Sequence, residues 1–159
     1  MAPIAKILIV EDDAEVRVLL AEQLRDRGHD SIYASDGVQA LTLVRRERPN
    51  LILLDLRLPG GDGFSVLERL KNIPEIAHTP VIVFSGMRSP EAEERALLLG
   101  AREFVQKSFT GNDLADAITR ALEPGPAPEP GQFSTYEAPQ PVASEELSPA
   151  PALRMAQSR

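Results

Sequence analysis

Short apolar runs alternate with segments of helical periodicity over the first 123 residues of the chain. Runs at residues 5–10, 51–54 and 81–84 are dominated by aliphatic side chains, as expected for strands covered on both faces of a sheet. Weaker strand patterns fall at 31–34 and 103–106. This alternation predicts a parallel sheet with helices on both of its faces.

Each stretch that follows a predicted strand carries apolar residues three and four positions apart, which is typical of a helix with one buried face. Asp36, Asp62 and Ser89 stand where N-cap residues are expected. The predicted helices span about residues 14–27, 36–47, 62–70, 90–100 and 112–122. The second of them is expected to turn three side chains inward: Val38, Leu41 and Val44.

Five β/α units in about 120 residues fit the flavodoxin-like, doubly wound α/β fold with strand order 2-1-3-4-5 and five helices on both faces. In that order strands 1 and 3 flank the topological switch point, the place where the direction of the strand order reverses. Ligands of such folds bind there, outside the carboxyl ends of the strands. The fold prediction therefore selects one crevice as the candidate site.

Polar side chains stand at the ends of four predicted strands. Glu11 and Asp12 close the first strand, Asp55 the third and Ser85 the fourth, while Lys107 follows the fifth. In a parallel sheet these ends lie side by side and would form one pocket. Each residue alone can equally be a helix cap, a turn residue or a surface charge, but their joint placement at strand ends favours a shared site.

The chemistry of such a pocket suits phosphoryl transfer. Clustered carboxylates repel one another unless a cation lies among them, and Mg²⁺ is a common counter-ion for oxygen ligands. Asp55 is the candidate nucleophile, while Lys107 and Ser85 can hold phosphoryl oxygens by charge and by hydrogen bonding. Asp13 is expected to serve only as a helix cap.

Composition excludes several other classes. The chain has 159 residues, a net charge of −7 and no cysteine, which argues against general nucleic-acid binding and against disulfide or thiolate metal sites. No apolar run approaches the roughly 20 residues that span a bilayer. Residues 124–159 contain eight of the fourteen prolines, so we expect a disordered tail or linker after a domain at 4–123.

The chain resembles response-regulator receiver domains over about residues 4–123. The matching segments are ILIVEDD (7–13), LILLDLRLPGGDGF (51–64), PVIVFSG (80–86) and GAREFVQKS (100–108). This resemblance implies a phosphorylation switch of a two-component or phosphorelay system, acting in the cytoplasm without the turnover of an enzyme beyond slow autodephosphorylation. From the net negative charge and the lack of a long apolar run, we expect no nucleic-acid or membrane partner.

The resemblance also implies a role for each matching position. Asp55 would be the phospho-acceptor and Lys107 the phosphate-pairing lysine, while Ser85 and Phe104 would be the switch residues. Mg²⁺ would be held by the side chains of Glu11, Asp12 and Asp55 and by the backbone carbonyl of Arg57.

The implied partners use two surfaces. A sensor histidine kinase or histidine phosphotransfer protein would dock on helix 1 near Ala14–Leu24. The face of helix 4, strand 5 and helix 5 would bind a downstream protein or a second copy of the chain.

Three positions depart from the family pattern. Ser108 stands where proline usually follows the lysine, often after a cis bond; since a non-proline cis bond costs about 2.5–4 kcal/mol, we expect a shifted trans loop or a strained one. Arg57, two residues after the acceptor, could shield the acyl phosphate or weaken Mg²⁺ binding. Met87, two residues after Ser85, should not orient an attacking water.

Other readings of the sequence remain open at this point. A phosphorylation-independent interaction module that keeps the receiver fold is consistent with Ser108 and Arg57. An aspartyl-phosphate hydrolase is disfavoured because Arg57 occupies the place of its second acid and no cap domain is present. A nucleotide or flavin site is disfavoured because no glycine-rich phosphate loop follows the first strand.

Overall fold

The sheet has the predicted order. The computed structural model describes residues 4–59, 61–86, 89–107 and 112–123. Within them, five parallel strands are arranged as β2-β1-β3-β4-β5, which confirms the doubly wound α/β fold. The strands are β1 (Lys6–Val10), β2 (Asp30–Ala34), β3 (Leu51–Asp55), β4 (Val81–Ser85) and β5 (Glu103–Gln106).

Five α-helices connect or follow these strands in the described part of the chain. The predicted caps Asp36, Asp62 and Ser89 each accept a backbone N–H from the first turn of a helix, which satisfies a donor that the helix itself leaves unpaired. The helices are α1 (Ala14–Asp26), α2 (Gly37–Glu47), α3 (Gly63–Lys71), α4 (Pro90–Leu98) and α5 (Asp113–Leu122).

Two apolar cores lie on opposite faces of the sheet because strand side chains alternate between the faces. One core joins Ile7, Ile9 and Leu53 to buried residues of α1 and α5. The other joins Leu8 and Val10 to buried residues of α2, α3 and α4. All residues of β3 and β4 are buried, which explains their continuous apolar pattern.

The predicted inward face of α2 is wrong at one position. Val38 is 75% exposed, whereas Ala40 and Val44 are fully buried. The helix approaches α3 so closely at Gly37 that an added Cβ would lie 2.6 Å from a methyl carbon of Val66. The buried stripe therefore runs through positions 37, 40 and 44, and Val38 points away from it.

A loop with Pro59-Gly60-Gly61 is expected after β3, and the structure adds a short antiparallel pairing there that the sequence did not predict. Arg57–Leu58 pairs antiparallel with Gly61–Asp62, and the N–H of Gly63 donates to the carbonyl of Leu56 at 3.1 Å. A Cβ on Gly63 would lie 2.5 Å from the Leu56 Cα, so this close approach requires glycine. This pairing brings the start of α3 back beside the residues that follow β3.

Some expectations fall outside the described residues. The tail at 124–159, Met87 and Ser108 are among them, so the predicted linker and the loop after Lys107 stay predictions. Among the described helices, none is long and apolar enough to cross a membrane.

Candidate functional site

The register of the sheet brings Glu11 and Asp55 together. Val10 pairs with Leu54, so the next residue on each strand lies at the same carboxyl edge. The N–H of Glu11 extends the sheet by donating to the carbonyl of Ala34 at 3.0 Å. By strand alternation both carboxylates lie on the face covered by α1 and α5. Glu11 is 1% exposed and Asp55 is 2% exposed.

Lys107 reaches both buried carboxylates. Its Nζ lies 2.7 Å from Oε2 of Glu11 and 3.0 Å from Oδ2 of Asp55. Its backbone N–H donates to the carbonyl of Ser85 at 2.7 Å, which holds the lysine at the end of β4. Its ammonium also lies 5.1 Å from the centre of the Phe84 ring. The lysine is therefore anchored by backbone, carboxylates and an aromatic face.

Burial and mutual interaction shift the pKa values of Glu11 and Lys107. Burial, followed by repulsion from Asp55, raises the pKa of Glu11 to about 7, although contact with Lys107 opposes the shift. Burial alone would lower the pKa of Lys107, but its close contacts with the carboxylates of Glu11 and Asp55 outweigh burial and raise it. Two buried acids thus share one partly buried cation, which leaves an uncompensated negative charge when both acids are ionised.

The arrangement fits a divalent cation. Carboxylate oxygens of Glu11, Asp12 and Asp55 lie within 4.8 Å of one another. Oε2 of Glu11 is buried and accepts no aligned hydrogen bond, so its close contact with Lys107 is one of charge alone. Asp12 is exposed, which leaves the site open to water on one side. An open, oxygen-only site with surplus negative charge suits Mg²⁺.

Asp13 does not belong to this set. Its carboxylate accepts the backbone N–H groups of Glu15 at 2.9 Å and Val16 at 3.4 Å, so it caps α1 as predicted. Its own N–H donates to Oε1 of Glu11 at 3.2 Å. The cap therefore also orients the buried glutamate.

Ser85 and Phe104 lie on the other face of the sheet from the Lys107 cluster. Ser85 is 3% exposed and follows Val83 by two positions, and Val83 faces the α2, α3 and α4 core. Phe104 is partly buried against the same core, and Val83 pairs with it across the strands. The two predicted switch residues thus share a face, while the acids and the lysine share the opposite one.

Arg57 sits beside the pocket through its backbone. Its N–H donates to Oδ1 of Asp55 at 3.2 Å, so both oxygens of that carboxylate are engaged. Its side chain is exposed. The expected effect of the Arg57 side chain on an acyl phosphate or on Mg²⁺ stays a prediction.

One residue at the site is missing from the sequence-based set. Nη1 of Arg17 donates to the backbone carbonyls of Glu11 at 2.8 Å and Asp12 at 3.1 Å. One indication of this role was present in the sequence: Arg17 is a cation in the first turn of a helix, where the helix dipole disfavours positive charge. Sequence alone did not show what the guanidinium contacts.

Comparison with known proteins agrees with the fold and the pocket. A family model described as the response regulator receiver domain matches residues 7–119. Sporulation initiation phosphotransferase F of Bacillus subtilis (strain 168) is 37% identical over 117 residues, which cover 74% of this chain and 93% of that protein. The gliding motility regulatory protein of Myxococcus xanthus is 38% identical over 123 residues, but these are 75% of this chain and only 16% of that protein.

A solved structure agrees with these sequence matches. The crystal structure of the BeF3-activated N-terminal receiver domain of Klebsiella pneumoniae RstA has a TM-score of 0.69 and 30% identity, covering 74% of this chain and 98% of that one. Sequence, fold and the acidic pocket at the strand ends therefore lead to one assignment. The chain belongs to the family of response-regulator receiver domains.

Proposed function

We propose that this chain is a phosphorylation-dependent signalling switch whose Asp55 accepts a phosphoryl group in the cytoplasm. The observation that carries the proposal is the contact of Lys107 with both Asp55 and Glu11 at the ends of three strands. It leaves a buried nucleophilic carboxylate beside a cation and an open acidic site. The donor we propose is a phosphohistidine of a sensor histidine kinase or a histidine phosphotransfer protein.

In the proposed reaction a carboxylate oxygen of Asp55 attacks phosphorus. The P–N bond to the donor imidazole breaks, and its electron pair leaves with the nitrogen. Glu11, Asp12 and Asp55, with the backbone carbonyl of Arg57, would hold Mg²⁺. Bound there, the ion would neutralise negative charge on the transferring oxygens.

Lys107 then exchanges its partners. In the unphosphorylated chain its ammonium pairs with both Asp55 and Glu11. A phosphoryl group on Asp55 adds about −1.5 to −2 charge and new acceptor oxygens, which Lys107 can pair from the α1/α5 side. Ser85 can approach the same oxygens from the opposite face, which it shares with Phe104.

The change would reach the surface through β5. Movement of Ser85 would repack Phe104 and bias the face formed by α4, β5 and α5 between two arrangements. Leu98, 66% exposed on α4, and the exposed pair of Glu103 and Arg120 mark this face. We propose that a downstream protein or a second copy of the chain binds it.

Docking of the donor would use α1. Val18 is 58% exposed and Leu19 is 39% exposed, and they line a shallow depression with Ala14, Glu15 and Glu22. This apolar patch lies on the helix that begins beside the pocket. It would place a donor histidine near Asp55.

Intact-protein mass spectrometry after incubation with acetyl phosphate tests the proposal. One phosphoryl adduct is expected on the wild type with Mg²⁺, and none without Mg²⁺ or on Asp55→Asn. If the folded wild type forms no adduct and takes up no beryllofluoride, the phosphorylation-independent interaction module is favoured instead. An adduct that persists on Asp55→Asn would place the acceptor elsewhere.

A further inference from the structure

Arg17 holds the backbone of the two residues that lead from β1 into α1. Its Nη1 donates to the carbonyls of Glu11 at 2.8 Å and Asp12 at 3.1 Å. Each of these residues also supplies a carboxylate to the acidic pocket. One planar, permanently charged group thus bridges consecutive peptide units directly behind the pocket.

The location of Arg17 is unfavourable without these contacts. It is the fourth residue of α1, where the positive end of the helix dipole repels a cation. Among the described residues, no carboxylate forms an ion pair with it. Its side chain is nevertheless partly buried. The two hydrogen bonds to backbone carbonyls therefore offset the unfavourable interaction of the Arg17 charge with the helix dipole.

Within the described part of the chain, the hydrogen bonds to the carbonyls of Glu11 and Asp12 come from Arg17. The backbone N–H of Glu11 donates to the carbonyl of Ala34, and the backbone N–H of Asp13 donates to Oε1 of Glu11. Both contacts involve N–H groups of the loop between β1 and α1, so neither holds a carbonyl of that loop. The guanidinium is the donor that satisfies the carbonyls of Glu11 and Asp12. Without it, the two peptide units that carry Glu11 and Asp12 would lose a charged hydrogen-bond donor that holds them in place.

We infer that Arg17 is a positioning residue that preorganises Glu11 and Asp12 as ligands for a divalent cation. It touches neither the cation nor the phosphoryl group and acts through the backbone carbonyls. The inference rests on the proposed function, which it deepens by naming the group that shapes the cation site. It predicts a specific loss of cation affinity, with the rate of phosphoryl transfer preserved once the site is filled.

The test compares Arg17→Met and Arg17→Lys with Arg27→Met. Arg27 is a matched control because it also donates to a backbone carbonyl near α1, that of Gln23 at 3.3 Å, but lies at the far end of the helix. Mg²⁺ affinity of the unphosphorylated chain is measured from NMR chemical shifts. The rate of adduct formation with acetyl phosphate is then measured from low to saturating Mg²⁺.

Arg17→Met is expected to raise the Mg²⁺ dissociation constant about tenfold, the loss typical of one hydrogen bond to a charged group. The Mg²⁺ concentration for half-maximal rate should rise in parallel, while the saturated rate stays within about twofold of wild type. Arg17→Lys keeps the positive charge and a nitrogen donor but has a more flexible side chain without the rigid guanidinium plane, so it should show an intermediate rise of about threefold. Arg27→Met should match the wild type.

Amide hydrogen exchange provides a readout that needs no metal. Exchange at Asp13 in the metal-free chain should accelerate in Arg17→Met and stay unchanged in Arg27→Met. Unaltered Mg²⁺ affinity in folded Arg17→Met, or a reduced saturated rate with unaltered affinity, overturns the inference. If Arg17→Met does not fold, an unaltered affinity in Arg17→Lys overturns it. If the wild type neither binds Mg²⁺ nor forms a phosphoryl adduct, the proposed function itself is wrong, and this inference is wrong with it.

Discussion

The side-chain nitrogen of Lys107 lies 3.0 Å from Oδ2 of Asp55, although 52 positions separate the two residues in sequence. The same nitrogen lies 2.7 Å from Oε2 of Glu11. The lysine therefore offsets part of the negative charge of the cluster in the unphosphorylated chain and competes there with any bound cation. It also stands where a phosphoryl oxygen on Asp55 would need a counter-charge.

Replacement of Lys107 by Met should separate these two roles. Removal of the competing cation leaves two buried carboxylates uncompensated, so Mg²⁺ affinity should rise. The rate of adduct formation with acetyl phosphate at saturating Mg²⁺ should fall about tenfold or more, because a charge-assisted contact to the phosphoryl group is lost. Calorimetric titration and mass spectrometry measure the two effects.

Lys6→Met is the control for that experiment. Lys6 pairs with Glu47 at 3.3 Å at the opposite end of β1 and is 41% exposed, so its loss should change neither quantity. A parallel fall in both Mg²⁺ affinity and rate in Lys107→Met would contradict the competition described above.

The metal-free protein should lose stability as pH rises toward neutrality. Glu11 ionises near 4.5 when unfolded and at about 7 when folded. Between these values the folded state binds more protons, so the free energy of unfolding falls with rising pH and levels off above about 7. We expect Glu11→Gln to remove about 1–3 kcal/mol of this fall.

Urea unfolding in EDTA between pH 4.5 and pH 8 measures the effect. The difference between the wild-type and Glu11→Gln curves reports the contribution of Glu11 together with its interactions with Asp55 and Lys107. Curves that stay parallel across the whole range would show that the pKa of Glu11 is not raised.

Two neighbouring aspartates should differ in their effect on Mg²⁺ binding. Asp12→Asn removes a charged oxygen ligand from the acidic cluster, so the Mg²⁺ dissociation constant should rise about tenfold or more. Asp13→Asn should leave it within about threefold, since asparagine caps a helix about as well as aspartate. NMR titration of both variants gives the comparison, and equal losses would mean that Asp13 is a ligand.

Gly63→Ala should destabilise the fold by about 2–4 kcal/mol, because the added Cβ would lie 2.5 Å from the Leu56 Cα and neither backbone can yield. Gly86→Ala is the control, since no atom lies within 4 Å of a Cβ there. Thermal unfolding measures both variants. A Gly63→Ala protein as stable as Gly86→Ala would show that the turn after β3 can relax.

Local sequence patterns predicted the elements well because their causes are local. Caps such as Asp36 and Asp62 act on N–H groups within three residues, and an apolar run such as residues 51–54 reports burial on both faces directly. Val38 was misassigned because helical periodicity defines a stripe but not the helix rotation. The close approach at Gly37 sets that rotation.

The sequence by itself determined the strand order, the helix ends and the set of polar residues at the carboxyl edge. It did so because periodicity, capping and strand-end position depend on near neighbours and on few possible topologies. Only the tertiary structure decided that Lys107 pairs with both acids, that Ser85 and Phe104 share the opposite face, and that Arg17 holds two pocket carbonyls. These contacts depend on strand register and helix packing, which local sequence does not encode.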